Sequence, residues 1–322
     1  RTMSQSWDSS IKDELQMVEQ EIHRSIRSEQ PVLTEICDYV ITSGGTRMRP
    51  GVTILSYLAS GGKEVSEAVK IAAAFEMIHS ATLIHDDIND RSEMRRGRLS
   101  AYKKFGLQQA LVSGDFLFVK AFAIGGFFNE EIVSLVAEAC TAIAESEMVQ
   151  FEKEGEVAPL NVYLGIIEGK TAKPIMAGAR IGAYLANADP DRIHAMGEYG
   201  LNIGMAFQIV DDILDIVGNE SSLGKPRMVD FFEGKATLPL IHAMEDPTVG
   251  PRLSQLFHKK VKAEKDIEEA SALIAKTDAV ERSKQKAKEY AERALAALNG
   301  VPDSEHKLGL QRLAAKVVDR NY

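Results

Sequence analysis

Apolar positions recur with the helical period along nearly the whole chain, and the strict alternation of a half-buried strand is scarce. Between Ile11 and Ile26, Leu15, Val18, Ile22 and Ile26 fall on one face. Pro31 breaks the run, Leu33–Ile41 forms a second short helix, and Ser43-Gly44-Gly45 ends it, a glycine pair being a common C-terminal signal. Pro50 opens a helix over Gly51–Ala59, where its missing N–H costs little, and Gly61-Gly62 closes it. Val65–Asp90 is apolar on most sides (Val69, Ala72, Ala73, Phe75), as the central helix of a bundle has to be. Ser92–Gly106 is polar and reads as turns. Helices follow over Leu107–Phe128, over Glu130–Gly155 with the stripe Val133, Val136, Cys140, Ile143, Met148 and Phe151, and over Leu164–Ala186. Asp189-Pro190-Asp191 caps another, Arg192–Val217. Gly218–Pro239 is flexible ground, and Leu240–Tyr322 returns to amphipathic helix with a charged surface stretch at Lys259–Glu269. No low-complexity linker divides the chain. The pattern predicts an all-α, single-domain helical bundle spanning residues 1–322.

Two stretches break the apolar logic in the same way. Ala81–Gly97 reads ATLIHDDINDRSEMRRG, so apolar helix runs into Asp86, Asp87 and Asp90 and then into Arg95 and Arg96. Positions four apart share a helix face and the next position lies about 100° round, so Asp86 and Asp90 line up with Asp87 beside them. Gln208–Asp215 reads QIVDDILD and repeats the device with Asp211, Asp212 and Asp215, 125 positions later. Clustered carboxylates in apolar helix repel one another and need partners. Magnesium is a fitting one, because it takes one or two carboxylates and completes its shell with water and substrate phosphates. Arginines just beyond can grip further phosphate oxygens in a fork geometry. Two such clusters facing one another across a cavity would share metal ions and a diphosphate.

Other polar residues join this constellation. The loop GGTRMRP resembles an anion-binding turn. His79 lies two helical turns before Asp86 on the same face, while His85 reads as a structural neighbour. Lys170-Thr171 sits inside an apolar helix, where a lysine needs an anion or an exit to water. Gly224-Lys225 and Gly234-Lys235 suit closure over a phosphate. No nucleophilic triad, dinucleotide fingerprint or Walker loop is visible.

Composition narrows the class. The 322 residues are 45% hydrophobic and 26% charged, with a formal net charge of −9; this is ordinary for a globular protein and argues against a nucleic-acid partner. Cys37 and Cys140 lie in apolar helix and read as free thiols of a cytoplasmic protein rather than a disulfide framework. The opening RTMSQSWDSS lacks a signal-peptide core. The longest apolar runs are interrupted, as by Lys120 within Phe116–Phe128, so no transmembrane segment is expected. A charged rim that fits diphosphate and an apolar interior that fits hydrocarbon together describe an isoprenoid diphosphate.

In their order, GGTRMRP, DDIND followed by RRG, EGKTA, FQIVDDILD and GKP…EGKATLP resemble the trans-isoprenyl diphosphate synthases of the polyprenyl synthetase family. The resemblance covers Leu33 to Pro239 closely and the C-terminal helices more loosely. It implies an all-α bundle around a central cavity, of the isoprenoid synthase type, working as a homodimer. It implies magnesium, three ions with bound diphosphate, on Asp86, Asp90 and Asp211, with Asp87, Asp212 and Asp215 close by. Arg95, Lys170, Lys225 and Lys235 would hold the allylic diphosphate primer, and Gly45, Arg49, His79 and Arg96 isopentenyl diphosphate. Thr171 and Gln208 would lie along the cation and, with Lys170 and Lys235, carry catalysis. The implied reaction is ionisation, attack by the isopentenyl double bond, and loss of a proton to the released diphosphate. A terpene cyclase and a non-catalytic subunit of a heteromeric synthase are the rival readings; the second DD-x-x-D opposes the first, and the six retained aspartates oppose the second.

The family's glycine loop carries lysine where this chain has Thr46. The resemblance therefore implies a weaker isopentenyl diphosphate site, or one in which Arg47 substitutes. Ala81 and Thr82, about one turn below Asp86, are small where aromatic residues in the family stop the tail early. Phe75, about 16 Å below Asp86 at 1.5 Å per residue, or Phe118 and Phe122 from the next helix, is the expected floor, and a product of geranylgeranyl length or longer is the expectation.

Overall fold

In the computed structural model, which describes residues 5–219 and 226–320, helix follows helix. The first half comprises α1 (Lys12–Ser25), α2 (Pro31–Ile41), α3 (Met48–Ala59), α4 (Ser66–Asn89), α5 (Ala101–Phe105), α6 (Leu107–Gly125) and α7 (Glu130–Lys153). Then come α8 (Leu160–Ile167), α9 (Lys173–Leu185), α10 (Pro190–Val217), α11 (Val229–Phe232), α12 (Leu238–Met244), α13 (Gly250–Phe257), α14 (Glu264–Ala275), α15 (Ala279–Ala297) and α16 (Glu305–Val318). Among the described residues the fold is helical apart from one two-stranded hairpin, as the pattern predicts.

Side chains set several helix starts by satisfying free backbone N–H groups. Asn129 accepts from Ile132 at 3.2 Å, Asp189 from Arg192 at 2.8 Å, and Ser304 from Lys307 at 3.0 Å. Pro31 and Pro190 occupy first positions. Pro50 does not open its helix: α3 begins two residues earlier, behind a left-handed Arg47 (φ 58°). The missing N–H is still one of the first-turn donors that have no helical partner.

Two segments depart further from the expectation. The polar stretch after α4 is not only turns. Met94–Arg95 (β1) and Arg98–Leu99 (β2) pair antiparallel, and Arg96 (φ 52°) and Gly97 (φ 77°) form the two-residue turn. Positive φ at both central positions matches the twist of a tight hairpin. The helix expected over Leu164–Ala186 is interrupted by one wide π turn, Glu168–Ala172, which carries Lys170 and Thr171. Such an insertion re-aims side chains locally. Gly169 lets α7 approach this turn, since a Cβ there would collide with Ser146 Oγ.

α4 is the central helix, touched by α1, α3, α6 and α9, while α10 lies against α9 and α15. The fully buried Tyr199 ties α10 to α16 by donating to the Leu310 carbonyl at 2.7 Å. α6 buries Ala110, Ser113, Gly114, Leu117 and Ala121 toward α4 and exposes Leu107, Leu111, Val112, Val119 and Phe122. Contrary to the expectation from the interrupted apolar runs, α6 is long and apolar enough to cross a membrane by length and composition. Its inner face is nevertheless that of a bundle helix. On α7, Met148 and Phe151 of the expected core stripe also face outward.

Candidate active site

A cavity of about 1050 Å³ opens between the C-terminal end of α4, the π turn, α10 and the segment after α11. Asp86 and Asp90 line it from α4, and Asp211 and Asp212 from α10. The two acidic stretches thus share one hollow, although 125 positions separate them.

Asp86, Asp87, Asp90, Asp211 and Asp212 each have a cation or a hydrogen-bond donor against them. Lys170 Nζ lies 3.3 Å from Asp86 Oδ1 and 2.8 Å from Glu147 Oε2, and donates to Gln150 Oε1 at 3.3 Å. Burial works against this ammonium, but Asp86 and Glu147 outweigh it and raise its pKa. Lys235 Nζ is 2.8 Å from Asp90 Oδ1 and 3.3 Å from Glu233 Oε2. Burial pushes the Glu233 carboxyl up to about 7, against the pull of Lys235. Arg320 reaches Asp211 at 2.7 Å, with its guanidinium over the Phe207 ring. Arg95 forks onto the buried Asp87, its Nε and Nη2 donating at 2.8 and 2.7 Å.

The second cluster is not uniform. Asp212 accepts a short hydrogen bond from the Tyr163 hydroxyl and another from Gln208 Nε2 at 3.0 Å. Burial, reinforced by Asp230, pushes its pKa well above the carboxylate range. Gln208 Oε1 in turn accepts from Thr171 Oγ1 at 2.9 Å. Asp215 turns away from the cavity lining: it is buried and accepts the backbone N–H groups of Val229 and Asp230, each at 3.3 Å. Those are free donors at the start of α11, so Asp215 anchors that turn instead of facing the metal positions.

At the other end of the cavity, positive charge accumulates. Arg49 Nη1 is 3.4 Å from His79 Nε2, and Arg96 donates to the Gly44 carbonyl. Gly45 has φ +125°, and a Cβ there would fall 2.9 Å from Arg96 Nη2, so this position requires glycine. Burial depresses Arg49; burial and then Arg95 depress Arg96; burial and then Arg49 hold His79 well below 6.5. Arg47, the expected substitute for the lysine missing at Thr46, lines the cavity but is engaged with acids. It bridges Glu19 and the buried Glu76 (2.7 Å) and donates to the Ile41 carbonyl at 2.9 Å.

Against this geometry, the model of the polyprenyl synthetase family matches residues 30–274. The chain belongs to the polyprenyl synthetase family. It is 34% identical to an octaprenyl diphosphate synthase of Haemophilus influenzae over 314 residues, covering 96% of this chain and 94% of that protein. It is 34% identical to heptaprenyl diphosphate synthase component 2 of Geobacillus stearothermophilus over 317 residues, 97% of each. Among solved structures it resembles a polyprenyl synthase from Caulobacter crescentus complexed with calcium and isoprenyl diphosphate, with a TM-score of 0.94, 34% identity, and 98% and 97% of the two chains covered. The chain is a prenyltransferase, an enzyme that transfers alkyl groups.

Within the family site, the residues the motifs single out mostly converge. Gly45, Arg49, His79, Thr82, Asp86, Asp87, Asp90, Arg95, Arg96, Lys170, Thr171, Gln208, Asp211, Asp212 and Lys235 all line the cavity. Lys225 lies outside the described residues. The expected floor is not where the sequence puts it. Phe75 packs toward α9, with ring carbons 3.7 and 3.9 Å from where a Gly178 Cβ would be, Phe118 lies beside the His85 ring, and Phe122 is 39% exposed. None of the three lines the cavity, and the buried Ala81 does not either.

Sequence reasoning missed Glu76, Glu147, Gln150, Tyr163, Glu233 and Arg320. Glu76, Gln150, Tyr163, Glu233 and Arg320 line the cavity, and Glu147 reaches it through Lys170. Glu147 and Gln150 share a helix face by their spacing of three, and that face is the inner one while Met148 and Phe151 point out. This polar pair inside an amphipathic run was the available signal. Arg320 had none, because its partner is more than 100 positions away.

Among the described residues, no group of three carboxylate, imidazole or thiol side chains forms a ready-made ion cage. The donor set still fits magnesium. Hard carboxylate oxygens of Asp86, Asp90 and Asp211 line one cavity, and each rests against a side-chain cation that a divalent ion can displace.

Proposed function

We propose that the chain extends an allylic diphosphate primer with isopentenyl diphosphate, in the presence of magnesium, to a trans-polyprenyl diphosphate longer than geranylgeranyl. One observation carries this reading: the two acidic stretches line one cavity whose wall also carries the half-buried Arg49, His79 and Arg96 beside Gly45.

Asp86, Asp90 and Asp211 would hold magnesium, three ions being the number the family reading gives, and the metal would neutralise the leaving diphosphate as a Lewis acid. Lys170 and Lys235 exchange their carboxylate partners for diphosphate oxygens, and Arg95 serves the same diphosphate from beside Asp87. Arg49, Arg96 and neutral His79 grip isopentenyl diphosphate. Thr171 and Gln208 lie along the wall where the allylic cation develops. The apolar wall at Leu83, Ile166, Ile167 and Phe207 excludes the water that would quench it. The released diphosphate accepts the proton that completes the new double bond.

The product length rests on relatives that make octaprenyl and heptaprenyl chains and on the small Thr82 below Asp86. A homodimer through α6 and α7 is supported by the exposed apolar face Leu111, Val112, Val119, Phe122, Met148 and Phe151, large enough in kind to need covering. A heteromeric assembly is the second reading, because one relative is named as a component of its synthase. Light scattering of the purified chain separates the two. We read residues 1–322 as one domain, since its hydrophobic clusters share Val157, Val217 and Tyr290. The free, buried Cys37 fits a cytoplasmic, reducing compartment.

The deciding experiment incubates the purified chain with farnesyl diphosphate and isopentenyl diphosphate, with and without magnesium, and resolves products by length. Magnesium-dependent products beyond geranylgeranyl support the reading. Products that stop at geranylgeranyl would refute the length, and no turnover by the chain alone would favour the heteromeric assembly.

A further inference from the structure

We propose that Tyr163 and Asp212 are positioning residues that fix the polarity of Gln208 and Thr171, so that both turn oxygen toward the developing allylic cation. The inference rests on the prenyl-transfer reading of this cavity and deepens it.

Hydrogen positions decide the orientation. Asp212 Oδ1 takes the Gln208 Nε2–H bond at 3.0 Å and Oδ2 takes the Tyr163 hydroxyl. With any proton of Asp212 on the Oδ2 side, against the Tyr163 oxygen, Oδ1 only accepts, and the Gln208 amide turns its NH₂ end toward Asp212. A proton shared between Oδ2 and the Tyr163 oxygen changes nothing at Oδ1, which still accepts. With its NH₂ end committed, Gln208 presents Oε1 to Thr171 at 2.9 Å. Thr171 has a single hydroxyl hydrogen and gives it to that oxygen, so its remaining valence toward the cavity is lone pair. Thr171, Gln208, Asp212 and Tyr163 all line the cavity, and Tyr163, Thr171 and Asp212 are at most 7% exposed, so water does not redirect the chain.

A cation forming there meets the negative ends of two dipoles already in place. Dipoles held in advance need no reorganisation as charge develops, and such preorganisation contributes strongly to catalysis. Tyr163 matters because without it Oδ2 loses its partner and the carboxylate is free to rotate. On this proposal Asp212 serves the hydrogen-bonded chain and not the metal, its oxygens meeting Gln208 and Tyr163.

Asp212→Asn reverses the logic. An asparagine can turn its own NH₂ toward Gln208, which then flips and presents N–H to Thr171 and the cavity. The test compares wild type, Tyr163→Phe and Asp212→Asn by titration calorimetry with two probes. One is magnesium with inorganic diphosphate. The other is magnesium with an allylic diphosphate analogue in which a protonated nitrogen replaces the reacting carbon. The expected result is diphosphate affinity within about twofold of wild type in both variants, and ammonium-analogue affinity weakened about tenfold in Asp212→Asn and by less in Tyr163→Phe. In turnover, kcat of Asp212→Asn falls about 10²-fold while both KM values hold. Unchanged analogue affinity in Asp212→Asn overturns the assigned polarity, and unchanged affinity in Tyr163→Phe removes Tyr163 from it. Equal loss of both probes in Asp212→Asn returns Asp212 to the metal ligands and also overturns it. If wild type binds neither probe, the prenyl-transfer reading itself fails, which is a different outcome from wild type binding both and the variants not discriminating.

Discussion

Lys235 Nζ lies 2.8 Å from Asp90 Oδ1, joining two residues 145 positions apart in the chain. On the proposed reading a metal-bound diphosphate would take the place of this lysine, and Lys170 stands in the same way against Asp86 at 3.3 Å. Partly buried carboxylates are tolerable in the unloaded protein because a side-chain cation answers each one. On the proposed reading Asp86 and Asp90 would hold the metal, and Lys170 and Lys235 would turn to the diphosphate.

Lys235→Gln tests this exchange. It removes one charge-assisted contact to the leaving group, so KM for the allylic diphosphate should rise about tenfold. KM for isopentenyl diphosphate should stay put, because that end of the cavity is built from other residues. A parallel rise in both constants, read from initial rates, would show that Lys235 acts on the whole fold and not on one substrate.

The isopentenyl end gives a second prediction. Arg47 is held by Glu19 and Glu76, and the chain has threonine at position 46. Thr46→Lys should lower KM for isopentenyl diphosphate about tenfold, the weight of one hydrogen bond between charged partners. Glu76→Gln should lower it as well, by releasing Arg47, and should also cost about 1–3 kcal/mol of stability, because Glu76 is buried. Steady-state kinetics at saturating primer and a chemical denaturation curve check both.

Glu233 makes stability depend on pH. Its carboxyl titrates at about 7 in the fold against 4.5 as the ordinary value. Between those values the folded protein holds a proton that the unfolded chain has released. Stability therefore falls as pH rises through that window, and the loss is complete above about 7. Glu233→Gln should flatten this slope in metal-free protein and add on the order of 2 kcal/mol at pH 8. Melting curves at pH 5 and pH 8 measure it; a variant with the wild-type slope would place the titration elsewhere.

Product length should respond to Thr82 and not to Phe75. Thr82 lines the cavity about one turn below Asp86, whereas Phe75 packs toward Gly178 in the core. Thr82→Phe should shorten the products, as seen by chromatography. Phe75→Ala should leave the length distribution alone and cost about 3–5 kcal/mol through the void it leaves.

The amino-acid sequence by itself determined the helical class, the approximate helix limits and the membership of most of the site. Those features are local: the 3.6-residue period, proline and glycine punctuation, and the four-residue spacing of Asp86 and Asp90 act within a few turns. The tertiary structure decided which partner each polar side chain chose. Asp87 was taken by Arg95, Asp215 by the start of α11, Arg47 by Glu19 and Glu76, and Asp211 by Arg320. It also decided that Phe75 faces core instead of cavity, and that one wide turn aims Lys170 and Thr171 inward. A helix face bounds the directions open to a side chain. Which direction is used depends on charges and volumes brought from distant parts of the chain, and no local pattern encodes them.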